Sequence, residues 1–181
     1  TIRKEVQHRG GGIDGLRIAM IGDLRFGRTV HSLSKLLASF DRVHLTCIAP
    51  AELRMPGEIV EALRSRGHTV VESDAMESSI AHVDIAYSTR IQEERFASKE
   101  EANLYRGRYR LNQAIYTQYC EPNTVIMHPL PRDSRVEANE LDPDLNENPN
   151  LAIFRQTDNG VLVRMALFAL VLSAAGSAPT G

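Results

Sequence analysis

The sequence is poor in the features that mark several large classes of protein. Its 181 residues include only two cysteines, and the formal net charge is −2. Cys47 and Cys120 lie far apart, without the spacing of metal ligands. They are typical of small core residues in a reducing compartment rather than of a disulfide framework. A general nucleic-acid binder would need a clear basic excess, so no nucleic-acid partner is expected.

Long apolar runs are also missing. The longest, residues 165–172 with the short run 161–163 before it, is too short to span a bilayer, and no signal peptide opens the chain. We therefore expect a soluble, cytoplasmic protein without a membrane partner.

Short apolar runs predict buried strands. Five of them are residues 16–21, 43–48, 69–71, 84–87 and 124–127, and residues 151–154 are a sixth candidate. Between the runs, apolar residues recur at helical spacing, as in Val30, Leu33, Leu36 and Leu37, and in Met55, Ile59, Val60 and Leu63. Strands that alternate with helices predict an α/β fold: a doubly wound, Rossmann-like parallel sheet of about five strands with helices on both faces.

Composition also predicts the domain boundaries. Residues 1–15 are expected to be a lead-in segment in which the glycines at 10–12 form a flexible turn. Residues 16–176 are expected to form one domain, followed by a frayed tail at 177–181 within a small-residue stretch that begins at 173. Residues 139–150, rich in Asp, Glu, Asn and Pro, predict a long, solvated surface loop.

Ligands of open parallel sheets bind at the carboxyl ends of the strands. Three predicted strands are followed by loops that each hold an arginine, namely Arg28, Arg90 and Arg132. A guanidinium can grip a carboxylate with two parallel hydrogen bonds, and Arg28 also lies at a helix start, where free backbone N–H groups favour an anion. A single arginine in such a place is usually solvated or paired with a carboxylate. With three such arginines on one edge of the sheet, an anion-binding site becomes as well favoured as this ordinary interpretation.

Two other patterns in these loops need an interpretation. His128 is either an acid–base group or a hydrogen-bonded loop anchor, and its position favours the anchor. Residues 22–29 have the spacing of a phosphate-binding loop, but Arg28 stands where that loop has a lysine. Arginine does not replace this compact charge, and no convincing acidic strand end for Mg²⁺ follows, which argues against a nucleoside triphosphatase.

Four segments, in order along nearly the whole chain, resemble the aspartate carbamoyltransferase family. Residues 22–33 resemble its second-domain signature, 89–95 its amino-acid-binding loop, 128–132 the loop that touches both substrates, and 158–167 its closing helix. The resemblance implies transfer of a carbamoyl group from carbamoyl phosphate to L-aspartate. The products would be N-carbamoyl-L-aspartate and phosphate, in pyrimidine biosynthesis. It implies no cofactor and no metal.

The resemblance also implies the roles of individual residues. Arg28, Thr29, Arg90 and Gln92 would hold the aspartate, and Leu130 and Pro131 would present backbone carbonyls at the reacting centre. Arginines on neighbouring loops suit a dicarboxylate and would orient its amine for attack. The sister family of ornithine carbamoyltransferases typically has a cysteine in place of the proline after the histidine and lacks the Thr-Arg-x-Gln loop. The sequence therefore favours aspartate over ornithine.

The carbamoyl-phosphate-binding domain is expected to be absent. In the family that domain carries a Ser-Thr-Arg-Thr loop, whereas the Ser-Thr-Arg triplet at 88–90 continues with Ile91 and belongs to the aspartate loop. The stretch 161–172 is apolar almost all round apart from Arg164, and such a helix expects burial on every side. In the family this helix packs on the first domain, so part of its surface is expected to lie bare here.

We therefore expect a chain that is inactive alone and holds part of an active site. Its partners would be L-aspartate, carbamoyl phosphate through a missing N-terminal domain, and further copies of itself, since the family forms trimers. The alternative is a stand-alone, non-catalytic module of the same fold that binds an amino acid or an oligomeric partner. The start without methionine favours the fragment.

Overall fold

The fold comes from a computed structural model, which describes residues 1–7, 12–133 and 135–176. Its five strands are β1 (Arg17–Ile21), β2 (His44–Ile48), β3 (Thr69–Ser73), β4 (Ile85–Ser88) and β5 (Val125–Met127). Neighbouring strands are all parallel, in the order β3-β2-β1-β4-β5. The predicted doubly wound parallel sheet of five strands is thereby confirmed.

Helices cover both faces of this sheet. The α-helices are α1 (Ile2–Glu5), α2 (Arg28–Leu37), α3 (Gly57–Arg64), α4 (Met76–Ser79), α5 (Lys99–Asn103), α6 (Gln113–Tyr119) and α7 (Ile153–Gly176). Short 3₁₀ helices occur at Ala51–Leu53, Glu93–Arg95 and Pro143–Glu147. Side chains of a strand alternate between the two faces. Accordingly, Ile18 and Met20 of β1 pack in the core cluster that includes α2 and α3, whereas Ala19 and Ile21 pack in the cluster that includes α4 and α6.

The strand order creates a crevice beside β1. The chain moves outward from β1 to β2 and β3, and it then returns to the other side of β1 as β4. At such a reversal the loops that leave the two central strands diverge, and ligands of this fold bind between them. The two loops also touch, because Gly22 has a φ of 109° and a Cβ there would overlap the carbonyl oxygen of Thr89. Only glycine allows this approach.

Two predictions of local structure were wrong. Residues 151–154 do not form a sixth strand: Leu151 makes one isolated bridge to Ile126, and α7 begins at Ile153. A short apolar run does not distinguish a strand from the buried start of a helix. The segment 139–150 is not a solvated loop either. Its leucines at 141 and 145 pack in the second core cluster, which takes neighbouring polar residues out of solvent.

The small-residue stretch that begins at 173 is partly helical. Residues 173–176 continue α7, and residues 177–181 lie outside the described part of the chain, as do the predicted turn glycines Gly10 and Gly11.

Helix α7 is anchored at its beginning. Ile153 is buried, Arg155 Nε lies 2.8 Å from Glu5 Oε1, and Asn159 Oδ1 accepts a hydrogen bond from Lys4 Nζ at 2.8 Å. Between residues 161 and 172 the large apolar side chains are 52–69% exposed. Among the residues that the structure describes, no helix is both long and apolar enough to cross a membrane.

Candidate functional site

The loops that follow β1, β4 and β5 enclose a cleft of about 290 Å³ at the reversal of strand order. It is lined by Gly27, Arg28, Thr29, Thr89, Arg90, Gln92, Arg95, His128, Pro129, Leu130 and Pro131. All six residues singled out from the sequence as site residues therefore lie in one cleft. Their roles in binding and catalysis stay predictions.

The first wall of the cleft is the start of α2. Gly27 precedes the helix, in a turn so tight that a Cβ would lie 2.5 Å from the carbonyl oxygen of Asp23. The first turn of α2 contains no acidic residue. Arg28 and Thr29 are exposed there, and the Arg28 guanidinium makes no hydrogen bond or ion pair with other described residues. Free backbone N–H groups and an unpaired cation together favour an anion at this wall.

Asp23 joins the first wall to the second. It is fully buried, and its carboxylate accepts hydrogen bonds from the backbone N–H groups of Phe26 at 2.9 Å and Gln92 at 3.3 Å. Burial raises the pKa of Asp23, and these N–H groups act in the opposite direction. Asp23 was not among the residues predicted from the sequence. The available signal was an acidic residue directly after a buried strand.

The second wall is the loop after β4. The Arg90 guanidinium donates to Glu94 Oε1 at 3.0 Å and to Oε2 at 3.4 Å, so this cation already has a partner on its own loop. The pKa of Glu94 is lowered, chiefly by a hydrogen bond from its own backbone N–H and further by Arg90. Gln92 is fixed through its backbone N–H, which donates to Asp23.

The arginine of the third loop follows the ordinary alternative, in which a loop arginine has a partner outside the site. Arg132 does not line the cleft, because its guanidinium is turned to Asn146 and donates to Oδ1 at 3.0 Å. Arg95, which was not predicted from the sequence, lines the cleft instead. Its signal was its place in the same loop as Arg90 and Gln92.

The third wall is the loop after β5. Leu130 has a φ of 57°, in the left-handed region that large side chains rarely adopt. Its backbone N–H donates to Nδ1 of the buried His128 at 2.9 Å. Of the two roles considered for His128, this geometry supports the loop anchor.

Ion pairs connect the second and third walls. Glu93 accepts hydrogen bonds from Arg106 Nε at 2.7 Å and from an Arg135 amino group at 2.7 Å. Arg135 also donates through Nε to Asp133 of the loop after β5, at 2.9 Å. Arg106, and then Arg135, lower the pKa of Glu93 to about 2. These four side chains hold the two loops together beside the cleft.

The cleft as a whole suits a small anion. Three of its lining residues are arginines, and none is acidic. The described residues contain no group of three or more His, Cys, Asp or Glu side chains that could hold a metal ion. The arrangement can therefore bind carboxylate or phosphate groups through guanidinium and backbone N–H donors.

Comparisons with known proteins point to one family. The sequence profile of the aspartate/ornithine carbamoyltransferase Asp/Orn binding domain matches residues 14–171. The aspartate carbamoyltransferase catalytic subunit of Cellvibrio japonicus is 74% identical over 175 residues, which are 97% of this chain and 52% of that protein. The multifunctional protein CAD of Squalus acanthias is 45% identical over 172 residues, or 95% of this chain and 7% of that protein.

Solved structures agree with the sequence comparisons. The catalytic subunit of M. jannaschii aspartate transcarbamoylase superimposes with a TM-score of 0.82 at 33% identity, over 98% of this chain and 55% of that one. Aspartate transcarbamoylase from Trypanosoma cruzi, in complex with aspartate and phosphate, gives a TM-score of 0.75 at 32% identity, over 91% and 49%. The chain belongs to the aspartate/ornithine carbamoyltransferase family, and the part that matches is the family's Asp/Orn binding domain.

Proposed function

We propose that this chain is the L-aspartate-binding part of an aspartate carbamoyltransferase. Arg28 and Thr29 on the first wall, and Arg90 and Gln92 on the second, would hold the substrate. The observation that carries the proposal is the meeting of Arg28 and Arg90 in one cleft of about 290 Å³. Aspartate has two carboxylates, and each guanidinium can bind one of them with paired hydrogen bonds. The solved relative that contains aspartate supports the choice of this amino acid.

The proposed reaction needs only orientation and charge stabilisation. The amine of aspartate attacks the carbonyl carbon of carbamoyl phosphate, the bond from that carbon to the bridging oxygen breaks, and phosphate leaves with the electron pair. The proton that the amine loses is taken up by the leaving phosphate. The backbone carbonyls of Leu130 and Pro131 would accept hydrogen bonds from N–H groups at the reacting centre. Holding the two reactants in this geometry is a large source of rate.

A further domain would bind carbamoyl phosphate. The chain spans about half the length of the curated aspartate carbamoyltransferases it matches. Two apolar surfaces support a partner here: the exposed half of α7, and a groove of about 540 Å³ beside α2 lined partly by Leu33, Leu36 and Phe40. In this proposal residues 1–15 lead in from that domain, 16–176 form the aspartate domain and 177–181 follow it. The assembled enzyme would be a homo-oligomer, such as a trimer.

Replacement of Arg90 by lysine tests the aspartate clamp. Lysine keeps the charge but loses the paired hydrogen bonds, each of which is worth about 1.5–3 kcal/mol when it joins charged groups. We expect Arg90→Lys to weaken succinate binding about 10- to 100-fold. Binding of a neutral amino acid should change little. Arg66→Lys, at a position beside α3 and outside the cleft, is the matched control.

Calorimetry with succinate would measure these affinities, in a complex of the chain with the carbamoyl-phosphate domain of the Cellvibrio japonicus relative. Equal succinate affinity for the wild type and the Arg90 variant would show that Arg90 is not a ligand.

The chain alone is proposed to turn over no substrate. Without a site for carbamoyl phosphate, the residues that bind aspartate would orient its amine towards solvent. The binding energy of aspartate then cannot accelerate the reaction. A colorimetric assay for carbamoyl aspartate, with and without the added domain, tests this. Activity only on mixing supports the proposal, and robust activity of the chain alone contradicts it. Succinate binding without activity in either case would favour the stand-alone binding module.

A further inference from the structure

A buried carboxylate lies behind the loop that forms the third wall. The side chains of Glu140 and His128 are 7% and 1% exposed, and Glu140 Oε1 lies 2.8 Å from His128 Nε2. The same carboxylate accepts a hydrogen bond from the backbone N–H of Asp133 at 3.2 Å. Glu140 therefore contacts both ends of residues 128–133. Leu130 and Pro131, which line the cleft, lie between the two contacts.

The hydrogen bond that the His128 ring accepts fixes where its proton lies. Nδ1 accepts the N–H of Leu130 at 2.9 Å, so Nδ1 carries no proton. The single proton of the ring is therefore on Nε2, the nitrogen that faces Glu140. The contact from Nε2 to Glu140 is short but departs from the angle of a good hydrogen bond. Nδ1 is therefore engaged by the Leu130 N–H, whereas Nε2 has no hydrogen bond of good geometry and lies buried against the Glu140 carboxylate.

This chain of contacts ends on a residue in an unusual conformation. Leu130 has a φ of 57°. Such a conformation persists in a large residue only where its surroundings hold it, and it is concentrated at functional sites. The hydrogen bond from Leu130 N–H to His128 Nδ1 is the side-chain contact that holds its backbone nitrogen. Glu140 in turn holds the opposite side of the imidazole ring.

We infer that His128 and Glu140 are positioning residues that fix the backbone of Leu130 at the reacting centre. The inference rests on the proposed function for its effect on catalysis. The aspartate clamp lies on the loops after β1 and β4, whereas Glu140 acts on the loop after β5. Loss of the positioning contacts should therefore lower kcat and leave the affinity for aspartate nearly unchanged. A residue with only a structural role would lower the stability of the protein without lowering kcat separately from the affinity for aspartate.

Two substitutions of His128 separate the two sides of the ring. Asn in place of His128 keeps an acceptor near the place of Nδ1, whereas Gln keeps a polar group near Nε2 and loses the acceptor for Leu130 N–H. A displacement of about 1 Å at a reacting centre can lower the rate about 100-fold. In the assembled two-domain enzyme we expect His128→Gln to lower kcat about 10- to 100-fold. His128→Asn should retain most of the activity, and Glu140→Gln should fall between them.

The affinity for succinate should stay within about threefold of the wild type in all three variants, far less than the effect of losing a charged hydrogen bond. Equal kcat values for the Asn and Gln variants, or a change confined to the KM for aspartate, would overturn the inference. If His128→Gln does not fold, the comparison of Glu140→Gln with the wild type decides the question. The inference then requires a lower kcat for Glu140→Gln at nearly unchanged succinate affinity.

Nitrogen NMR of the imidazole in the wild-type protein gives a readout that does not depend on activity. We expect Nδ1 to be an unprotonated acceptor and Nε2 to carry the proton at neutral pH. A protonated Nδ1 overturns the inference even in an active enzyme. If the wild-type assembly makes no carbamoyl aspartate, the proposed function fails, while the NMR result still decides whether His128 holds Leu130.

Discussion

The two loops that meet at the reversal of strand order are held in opposite ways. The loop after β1 is fixed by close backbone contacts: glycine is required at Gly22 and Gly27, and Asp23 is completely buried between the loops. The loop after β4 shares these contacts through Thr89 and Gln92, but its exposed side chains are held by ion pairs near the surface, in which Arg90 pairs with Glu94 on the same loop. A backbone contact that only glycine permits leaves the loop no second conformation of similar energy. A surface ion pair, in contrast, can break and re-form in solvent.

The two loops should therefore differ in how readily they change conformation when a ligand binds in the cleft. The loop after β1 is a fixed wall, and the loop after β4 is an adjustable one. A carboxylate ligand could displace Glu94 from Arg90 at small cost, because an ion pair of this exposure is worth about 1 kcal/mol or less. Substitutions in the first loop should therefore destabilise the protein far more than substitutions in the second.

Replacement of Gly22 by alanine should have the largest effect. The new Cβ would overlap the Thr89 carbonyl oxygen, in a residue with a φ of 109°. Overpacking and backbone strain together should lower the free energy of unfolding by about 3–5 kcal/mol. Gly67→Ala is the matched control, since Gly67 has a φ of 84° but open space around the Cβ position. Urea unfolding that gives both variants the same stability would refute the close contact.

Replacement of Asp23 by alanine should come next. It leaves the N–H groups of Phe26 and Gln92 without their buried acceptor, at a cost of about 2–4 kcal/mol in the free energy of unfolding. Asp23→Asn keeps one acceptor and should cost less. Thermal unfolding of both variants would measure the costs, and an alanine variant as stable as the wild type would contradict the role of Asp23 as a link.

The pH dependence of Asp23 has a definite sign. Burial raises its pKa above the ordinary 3.8, so the folded state holds this proton more tightly than the unfolded state. The contribution of Asp23 to stability therefore falls as the pH rises from 3.8 through the folded pKa. The stability difference between the wild type and Asp23→Asn should shrink over that interval. A difference that grows with pH would show that the N–H donors outweigh burial.

Much of this architecture could be predicted from the sequence because it depends on local patterns. Apolar runs that alternate with helical stripes fix the order of elements, and the loops after β1 and β4 then follow from chain order alone. Arg28 and Arg90 were found because they lie in the segments that connect a strand to the next element. The resemblance to a known family added a proposed substrate for each loop, which stays a prediction.

The supporting residues could not be predicted in the same way. Glu140 lies in an acidic, asparagine-rich segment whose composition is typical of solvated loops, and its burial depends on the leucines at 141 and 145. Asp23 is held by an N–H group 69 residues away in the chain. A buried carboxylate needs donors from distant segments, and no local pattern records them. The position of the Arg132 side chain could not be predicted for the same reason, since its partner Asn146 belongs to the segment that was wrongly predicted to be a solvated loop.

Replacement of Glu93 by glutamine should have a smaller effect than either change in the first loop. Its ion pairs with Arg106 and Arg135 are only partly buried, so we expect a loss of about 1 kcal/mol or less. The folded pKa is lowered from 4.5 to about 2, so this stabilisation is present above pH 4.5 and is lost as the pH falls towards 2. Unfolding at low and high salt would test it, because screening should reduce the loss. A loss larger than that of Asp23→Ala would reverse the contrast between the loops.

The smallest effect is expected for Glu94→Gln. The partner of Glu94 is Arg90, four residues before it on the same loop, and the Glu94 side chain is 56% exposed. An ion pair of this kind contributes about 0.5 kcal/mol or less to the free energy of unfolding. Glu77→Gln on α4 is the control, because Glu77 forms no ion pair within the described residues. If the two variants unfold within about 0.5 kcal/mol of each other, the Arg90 side chain is held weakly enough to exchange Glu94 for a substrate carboxylate. A loss of several kcal/mol for Glu94→Gln alone would mean that the second wall is as fixed as the first, and that the proposed aspartate ligand would meet a preformed site on both sides.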